Sequence, residues 1–166
     1  MKLVVGLGNP GEDHKKNRHN VGYMVLDNYV RSLNLDWENS QKFESDIILQ
    51  KDFILCKPLT FMNNSGKAVS KILDFYKISP EELIVIHDDV DLPFGLVKRK
   101  IGSGSAGHHG VESIIKSIGT KDFWRVRIGV GRPENKNILV ENWVLLDFSD
   151  KELEIIESLN IDSLLL

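Results

Sequence analysis

Leu3-Val4-Val5-Gly6-Leu7-Gly8-Asn9-Pro10-Gly11 is an apolar run that breaks into a glycine-rich turn carrying one polar side chain, Asn9. The run reads as a buried strand and the turn as its end. Two later stretches repeat the arrangement. Phe53-Ile54-Leu55 leads through Lys57-Pro58 to Met62-Asn63-Asn64, and Leu83-Ile84-Val85-Ile86 leads to His87-Asp88-Asp89. If the three runs are parallel neighbours, their polar ends share one edge of the sheet, where open α/β sheets bind ligands. Amphipathic stretches separate them. Val21, Met24, Val25, Tyr29 and Leu33 follow helix spacing, as do Ala68, Val69, Ile72, Leu73 and Tyr76. Val111, Ile114, Ile115 and Ile118 give a third helix, with Gly119 as its C-cap. Apolar runs alternating with such stretches predict one three-layer α/β/α domain over residues 1–166, with a twisted, mostly parallel mixed sheet.

The remaining segments fill in this frame. Ile47–Leu49 and Phe53–Leu55 flank Gln50-Lys51-Asp52, which predicts a hairpin. Trp124, Val126, Ile128 and Val130 alternate with Arg125, Arg127 and Gly129, the pattern of a half-exposed strand. Residues 138–146 fit no single element. Ser149 and Glu152 form a capping-box pattern, so a last helix begins near 150.

Composition excludes several classes. The 166 residues are 42% hydrophobic and 27% charged, which rules out wholesale disorder and collagen-like or coiled-coil repeats. No apolar run approaches the roughly 18 residues of a membrane span, and the N-terminus lacks a leader's apolar core and cleavage site. A lone cysteine, Cys56, excludes an intrachain disulfide and a Cys-rich zinc site. A cytoplasmic location without membrane contact is the resulting expectation. Net charge is −3, and the acidic excess lies in residues 150–166, which hold five acids and one base. The rest is nearly balanced, which leaves room for a local basic patch that binds nucleic acid.

Each polar cluster has a functional and a structural interpretation. Gly6-x-Gly8-x-x-Gly11 matches the dinucleotide fingerprint by letter only, because Pro10 interrupts the loop and a charged stretch follows it. Asn9 nevertheless offers an amide donor and acceptor at the rim of the cleft. His19, in Arg18-His19-Asn20, suits a general base or a capping residue, and the former needs an acidic partner. His87-Asp88-Asp89-x-Asp91 supplies such partners at the end of another strand. It is also a weak metal-site candidate, and Asp91 suits a turn before Leu92-Pro93. Asn64 or Ser65 is a natural helix N-cap, while Phe61 and Met62 suit either core or the floor of an apolar subsite. Lys98-Arg99-Lys100 runs without an acid into Gly102-Ser103-Gly104-Ser105-Ala106-Gly107. Flexible backbone beside three cations suits a phosphate-bearing partner or a solvated surface loop, and Arg125, Arg127 and Arg132 add cations nearby.

Taken together and in order, these blocks resemble bacterial-type peptidyl-tRNA hydrolases. Gly6–Gly11 with Arg18-His19-Asn20-Val21-Gly22, Lys57–Gly66, His87–Gly95, Gly107-His108-His109-Gly110 and Arg125–Pro133 carry the likeness across nearly the whole chain. The resemblance implies hydrolysis of the ester joining a peptide to the 3′ end of tRNA, without metal, cofactor or covalent intermediate, by a monomer. It implies that His19 is the general base and that Asp88 orients it. It assigns substrate contacts to Asn9, Asn63, Met62 and His109, and phosphate contacts to Lys98, Lys100 and Arg132. His109 stands where relatives carry asparagine, His14 where they more often carry tyrosine and Asn17 where they often carry threonine. Many relatives also continue further through their C-terminal helix. A non-catalytic RNA-binding module on the same scaffold is the competing expectation. A peptidase or phosphorylase on a similar fold finds no metal cluster or nucleophile in the sequence to support it.

Overall fold

The computed structural model describes residues 1–165, so the expected domain of 1–166 reaches one position, Leu166, beyond the described residues. The three apolar runs form β1 (Lys2–Gly6), β4 (Phe53–Pro58) and β5 (Leu83–Asp89). β1 lies between the other two and is parallel to both. β7 (Trp124–Gly129) extends the parallel set beyond β5. β2 (Glu38–Ser40) and β3 (Ser45–Leu49) add antiparallel strands beside β4, and β6 (Val97–Ile101) adds one outside β7. The sheet order is β2-β3-β4-β1-β5-β7-β6, with only β3 and β6 running against the rest. The expected mostly parallel mixed sheet and the 47–55 hairpin are both present.

Alternate residues of the central strands feed two cores. Leu3, Val5, Ile54, Cys56, Leu83 and Val85 pack under α2 (Ser65–Tyr76) and α3 (His109–Ile118). Val4, Leu55, Ile84, Ile86, Val126 and Ile128 pack under α1 (Val21–Ser32) and α5 (Asp150–Glu157). This period-two division gives the three layers. Ser149 caps α5 with the reciprocal Glu152 box anticipated from sequence, and Gly119 ends α3 at φ 75°.

Three local expectations need correction. Trp124–Gly129 is not half-exposed: Trp124 and Arg127 are half-buried and the other residues are buried, because β6 and β5 flank it. Lys98-Arg99-Lys100 is not flexible loop but the middle of that edge strand β6. Neither Asn64 nor Ser65 caps α2 with its side chain. A 3-10 turn at Met62–Asn64 runs directly into the helix, and buried Ser65 donates its hydroxyl to the Met62 carbonyl at 2.8 Å. The unassigned 138–146 segment contains a short helix, α4 (Val140–Trp143), and α6 (Asp162–Leu165) closes the described chain.

One close approach positions the site. A Cβ on Gly22 would lie 2.4 Å from the Ile86 carbonyl oxygen and 2.6 Å from the Leu7 nitrogen. Only glycine lets α1 begin directly on the ends of β1 and β5, and so carries the preceding residue pair, His19-Asn20, onto that edge.

Candidate active site

The polar ends of the strands do converge. Asn9 follows β1, Met62 and Asn63 follow β4, and Asp88 sits near the end of β5. His19 lies in the 3-10 turn Arg18–Asn20 before α1, and His108 immediately precedes α3. All six line a cleft of about 880 Å³.

Asp88 is the hub. Its Oδ2 lies 2.8 Å from His19 Nδ1 and its Oδ1 lies 2.7 Å from His108 Nε2. A carboxylate can only accept here, so each facing nitrogen carries a proton. His19 therefore keeps its Nε2 lone pair for a proton on a substrate or water. Burial pulls the His19 pKa down, but the charge of Asp88 and its hydrogen bond more than offset that, and the net shift is upward. For Asp88, burial pushes upward, but the charges and hydrogen bonds of the two imidazoles hold it well below the usual carboxylate range. His87 is a different case. Its Nδ1 donates to the Asp88 carbonyl at 2.7 Å, and burial, helped by His108, lowers its pKa to about 3. It stays neutral and structural.

His19, Asp88 and His108 also place three potential metal-binding atoms within 4.8 Å of one another. The donor types suit a cation. In this arrangement, however, the two imidazole nitrogens that face Asp88 each carry a proton and are hydrogen-bonded to separate carboxylate oxygens, so neither has a lone pair free for a cation between them. Of the sequence cluster at 87–91, Asp88 serves the histidines, while Asp89 rather than Asp91 makes the turn by accepting the Asp91 N–H at 2.8 Å.

Asn9 is fixed on three sides. Its N–H donates to Asn20 Oδ1, and its carbonyl accepts from Asn20 Nδ2, both at 2.9 Å. Its side-chain Oδ1 accepts the Met62 N–H at 2.7 Å. With that oxygen committed, the amide NH₂ is the group Asn9 has left for a ligand. Met62 and Phe61 part company. Met62 is 4% exposed and belongs to the core wall, whereas Phe61 is 61% exposed at the cleft. Asn63 and His109 are exposed and line the cleft.

Lys100, Arg125, Arg127 and Arg132 line the cleft's basic side, whereas Lys98 lies outside the lining; on β6, Lys98 pairs in register with Arg127 and Lys100 with Arg125. Lys98 and Lys100 are exposed on β6 and have no acidic partner among the described residues. The arginines are committed. Buried Arg125 donates to the carbonyls of Gly104 and Lys121, holding the glycine-rich loop down, and burial lowers its pKa to about 10. Arg127 pairs with Asp89 at 2.7 Å, and Arg132 pairs with Asp91 at 2.7 Å.

Sequence reasoning gave no role to His108, Asn20 or Arg18. Arg18 donates to the carbonyls of Leu146 and Asp147 at 3.0 and 3.1 Å and stacks 3.6 Å from the Trp143 ring centre. With the His19 N–H on the Val144 carbonyl, it ties the histidine-bearing turn to the segment after α4. The only local clue to His108 was its place just before an apolar helical repeat, where cap residues sit.

Residues 3–164 match the family described as "Peptidyl-tRNA hydrolase". The chain is 50% identical to a peptidyl-tRNA hydrolase of Aliarcobacter butzleri over 159 residues, covering 96% of this chain and 86% of that protein. It is 49% identical to one from Aquifex aeolicus, covering 94% and 82% of the two chains. Among solved structures, the peptidyl-tRNA hydrolase of Acinetobacter baumannii superposes with a TM-score of 0.85 at 32% identity, covering 95% of this chain and 81% of that one.

Proposed function

The chain belongs to the peptidyl-tRNA hydrolase family, and we propose that His19 is the general base with which it hydrolyses the ester between a peptide and the 3′ end of tRNA. The observation that carries this reading is the His19–Asp88 pair at 2.8 Å, which leaves His19 Nε2 unprotonated toward the cleft. Water held there loses a proton to Nε2 as its oxygen attacks the ester carbonyl. The imidazolium that forms is stabilised by the Asp88 carboxylate. The Asn9 NH₂ lies at the same rim and donates to the developing oxyanion, a contribution typically of about 10²–10³ in rate. Collapse of the tetrahedral species breaks the bond to the ribose oxygen, which takes the proton back from His19. The products are a free peptide acid and an intact tRNA, returned to use.

Asn63 and His109 contact the peptide end, with exposed Phe61 as the apolar surface and Met62 as the wall behind it. Lys98 and Lys100 take phosphates, and Arg132 joins them by exchanging Asp91 for a phosphate. Such contacts ignore base identity, as a hydrolase serving many tRNAs needs. The site is complete within one chain and its substrate is a product of translation, so we assign it to a monomer acting in the cytoplasm. No helix among the described residues is long and apolar enough to cross a membrane.

The direct test is release of the amino acid from matched N-blocked and free aminoacyl-tRNA. Release from the blocked form only is expected. Binding of tRNA without release from either form would instead mark an RNA-binding module. Lys98→Ala is expected to raise KM with kcat nearly unchanged, and to flatten the log–log salt dependence of KM by about one unit. A loss confined to kcat would remove Lys98 from the phosphate contacts.

A further inference from the structure

His108 makes two sets of hydrogen bonds that together leave its ring no freedom. At one side, Nδ1 accepts the N–H groups of Gly110 and Val111, at 3.2 and 3.3 Å, as the N-cap of α3. At the other, Nε2 meets Asp88 Oδ1 at 2.7 Å. An Nδ1 that accepts cannot carry the proton, so the ring's N–H is at Nε2 and is aimed at the carboxylate. The fit is further restricted by contact with both neighbouring imidazoles, whose ring centres each lie 4.9 Å away. A Cβ on Gly110 would come within 2.4 Å of Met62 Sδ, so the start of the helix is itself pressed against the cleft wall.

We propose that His108 is a positioning residue for the hydrolysis. The first turn of α3 fixes its tautomer, and the resulting Nε2–H holds Asp88 Oδ1 so that Oδ2 is presented to His19. The proposal rests on His19 being the base. It makes the helix cap part of the catalytic arrangement: the backbone amides of residues 110 and 111 decide which atom of His108 has the proton, and that proton decides how Asp88 is turned. Asp88 is thereby shared between two donors. A carboxylate that already accepts from His108 attracts the His19 imidazolium less strongly than one facing His19 alone. His108 thus keeps His19 from becoming so firmly protonated that it ceases to act as a base near neutral pH.

Two substitutions separate the cap from the donation. Asn Oδ1 overlays the position of the His Nδ1, and asparagine is among the best N-caps, so His108→Asn keeps the cap but is too short to reach Asp88. Gln carries its amide nitrogen where the His Nε2 lies, so His108→Gln keeps the donor and weakens the cap. The readout is the titration midpoint of His19 followed by NMR of its ring, together with the acid limb of kcat/KM and the melting temperature. In His108→Asn the midpoint and the acid limb are expected to rise together by about 0.5–1 unit, with little change in melting temperature. In His108→Gln the His19 midpoint is expected to stay near that of the unaltered protein while the melting temperature falls. The other charged and titratable groups lining the cleft are His87 and Asp89 of β5, Asp91 after it, Lys100 of β6, His109 of α3, Arg125 and Arg127 of β7, Arg132, and Glu141 of α4, with Arg18 beside His19 in the chain. Neither substitution alters them. An unchanged or lowered midpoint in His108→Asn would overturn the proposal, as would a fall in melting temperature with no shift of the His19 midpoint. The NMR titration needs no turnover, so it also distinguishes failure of this coupling from failure of the hydrolase reading, which would appear as absence of ester release in the unaltered protein.

Discussion

Replacing His19 with alanine is expected to lower kcat by about 10²–10⁴-fold while the protein stays folded. The ring lines the cleft, and the turn that carries it is held by the backbone bond from the His19 N–H to the Val144 carbonyl at 2.7 Å. Alanine keeps that bond. Asp88 would retain the His108 donor on Oδ1, so the carboxylate is not left without a partner. The loss therefore falls on proton transfer and not on the scaffold. Far-ultraviolet circular dichroism and the melting temperature check the second half of that statement, and single-turnover ester release checks the first. A folded His19→Ala protein with an unaltered rate would mean that another group takes the proton. The upward shift of His19 gives a linked expectation for the unaltered enzyme. A base works only when deprotonated, so kcat/KM should rise with pH through a midpoint above the ordinary histidine value of about 6.5.

The readable parts of this chain are those whose pattern is dictated by burial on both faces. Leu3–Leu7, Phe53–Leu55 and Leu83–Ile86 read as buried strands, and once they are parallel neighbours their shared direction brings Asn9, Asn63 and Asp88 to one edge. That convergence offered His19 three carboxylates, Asp88, Asp89 and Asp91, and the family resemblance singled out Asp88, which pairs with it although 69 positions separate the two residues. The less readable parts are those where tertiary neighbours override the local pattern. Val97–Ile101 carries three cations in five residues, which reads as solvated loop. It is a strand because β7 offers it an antiparallel partner, and charge is well tolerated on an edge. Arg125 made β7 look half-exposed, yet its guanidinium is buried because the carbonyls of Gly104 and Lys121 fold over it. His108 was hidden by its neighbour. Of the adjacent pair 108 and 109, the second occupies the position where the resemblance expects asparagine and drew the attention. The first gains its role only when α3 and Asp88 meet in space.

Asp88→Asn is expected to be as damaging as loss of His19, about 10²–10⁴-fold in kcat, and for a reason that charge alone does not give. Two N–H groups, one from His19 and one from His108, require acceptors at this position. Asparagine supplies one oxygen and one NH₂. The His108 proton cannot move, because the amides of Gly110 and Val111 occupy its other nitrogen. His108 therefore claims the amide oxygen, and the NH₂ is left facing His19 Nδ1. That nitrogen must now accept, so the His19 proton shifts to Nε2, the atom that has to remove a proton from water. The ring would be neutral and correctly placed yet unable to act. With the charge of Asp88 gone, burial is the dominant remaining influence, and the His19 pKa falls below its ordinary value. Were Asp88 needed only for its charge, that lower pKa would leave a competent base in the variant, and activity would persist in weakly acidic solution. Rates measured from about pH 5 to 9 therefore separate the two accounts. The tautomer account expects the variant to be slow throughout, with ring nitrogen shifts placing the His19 proton on Nε2. Near-normal kcat at any pH in that range would show that His108 does not hold the amide oxygen, and that Asp88 acts on His19 by charge.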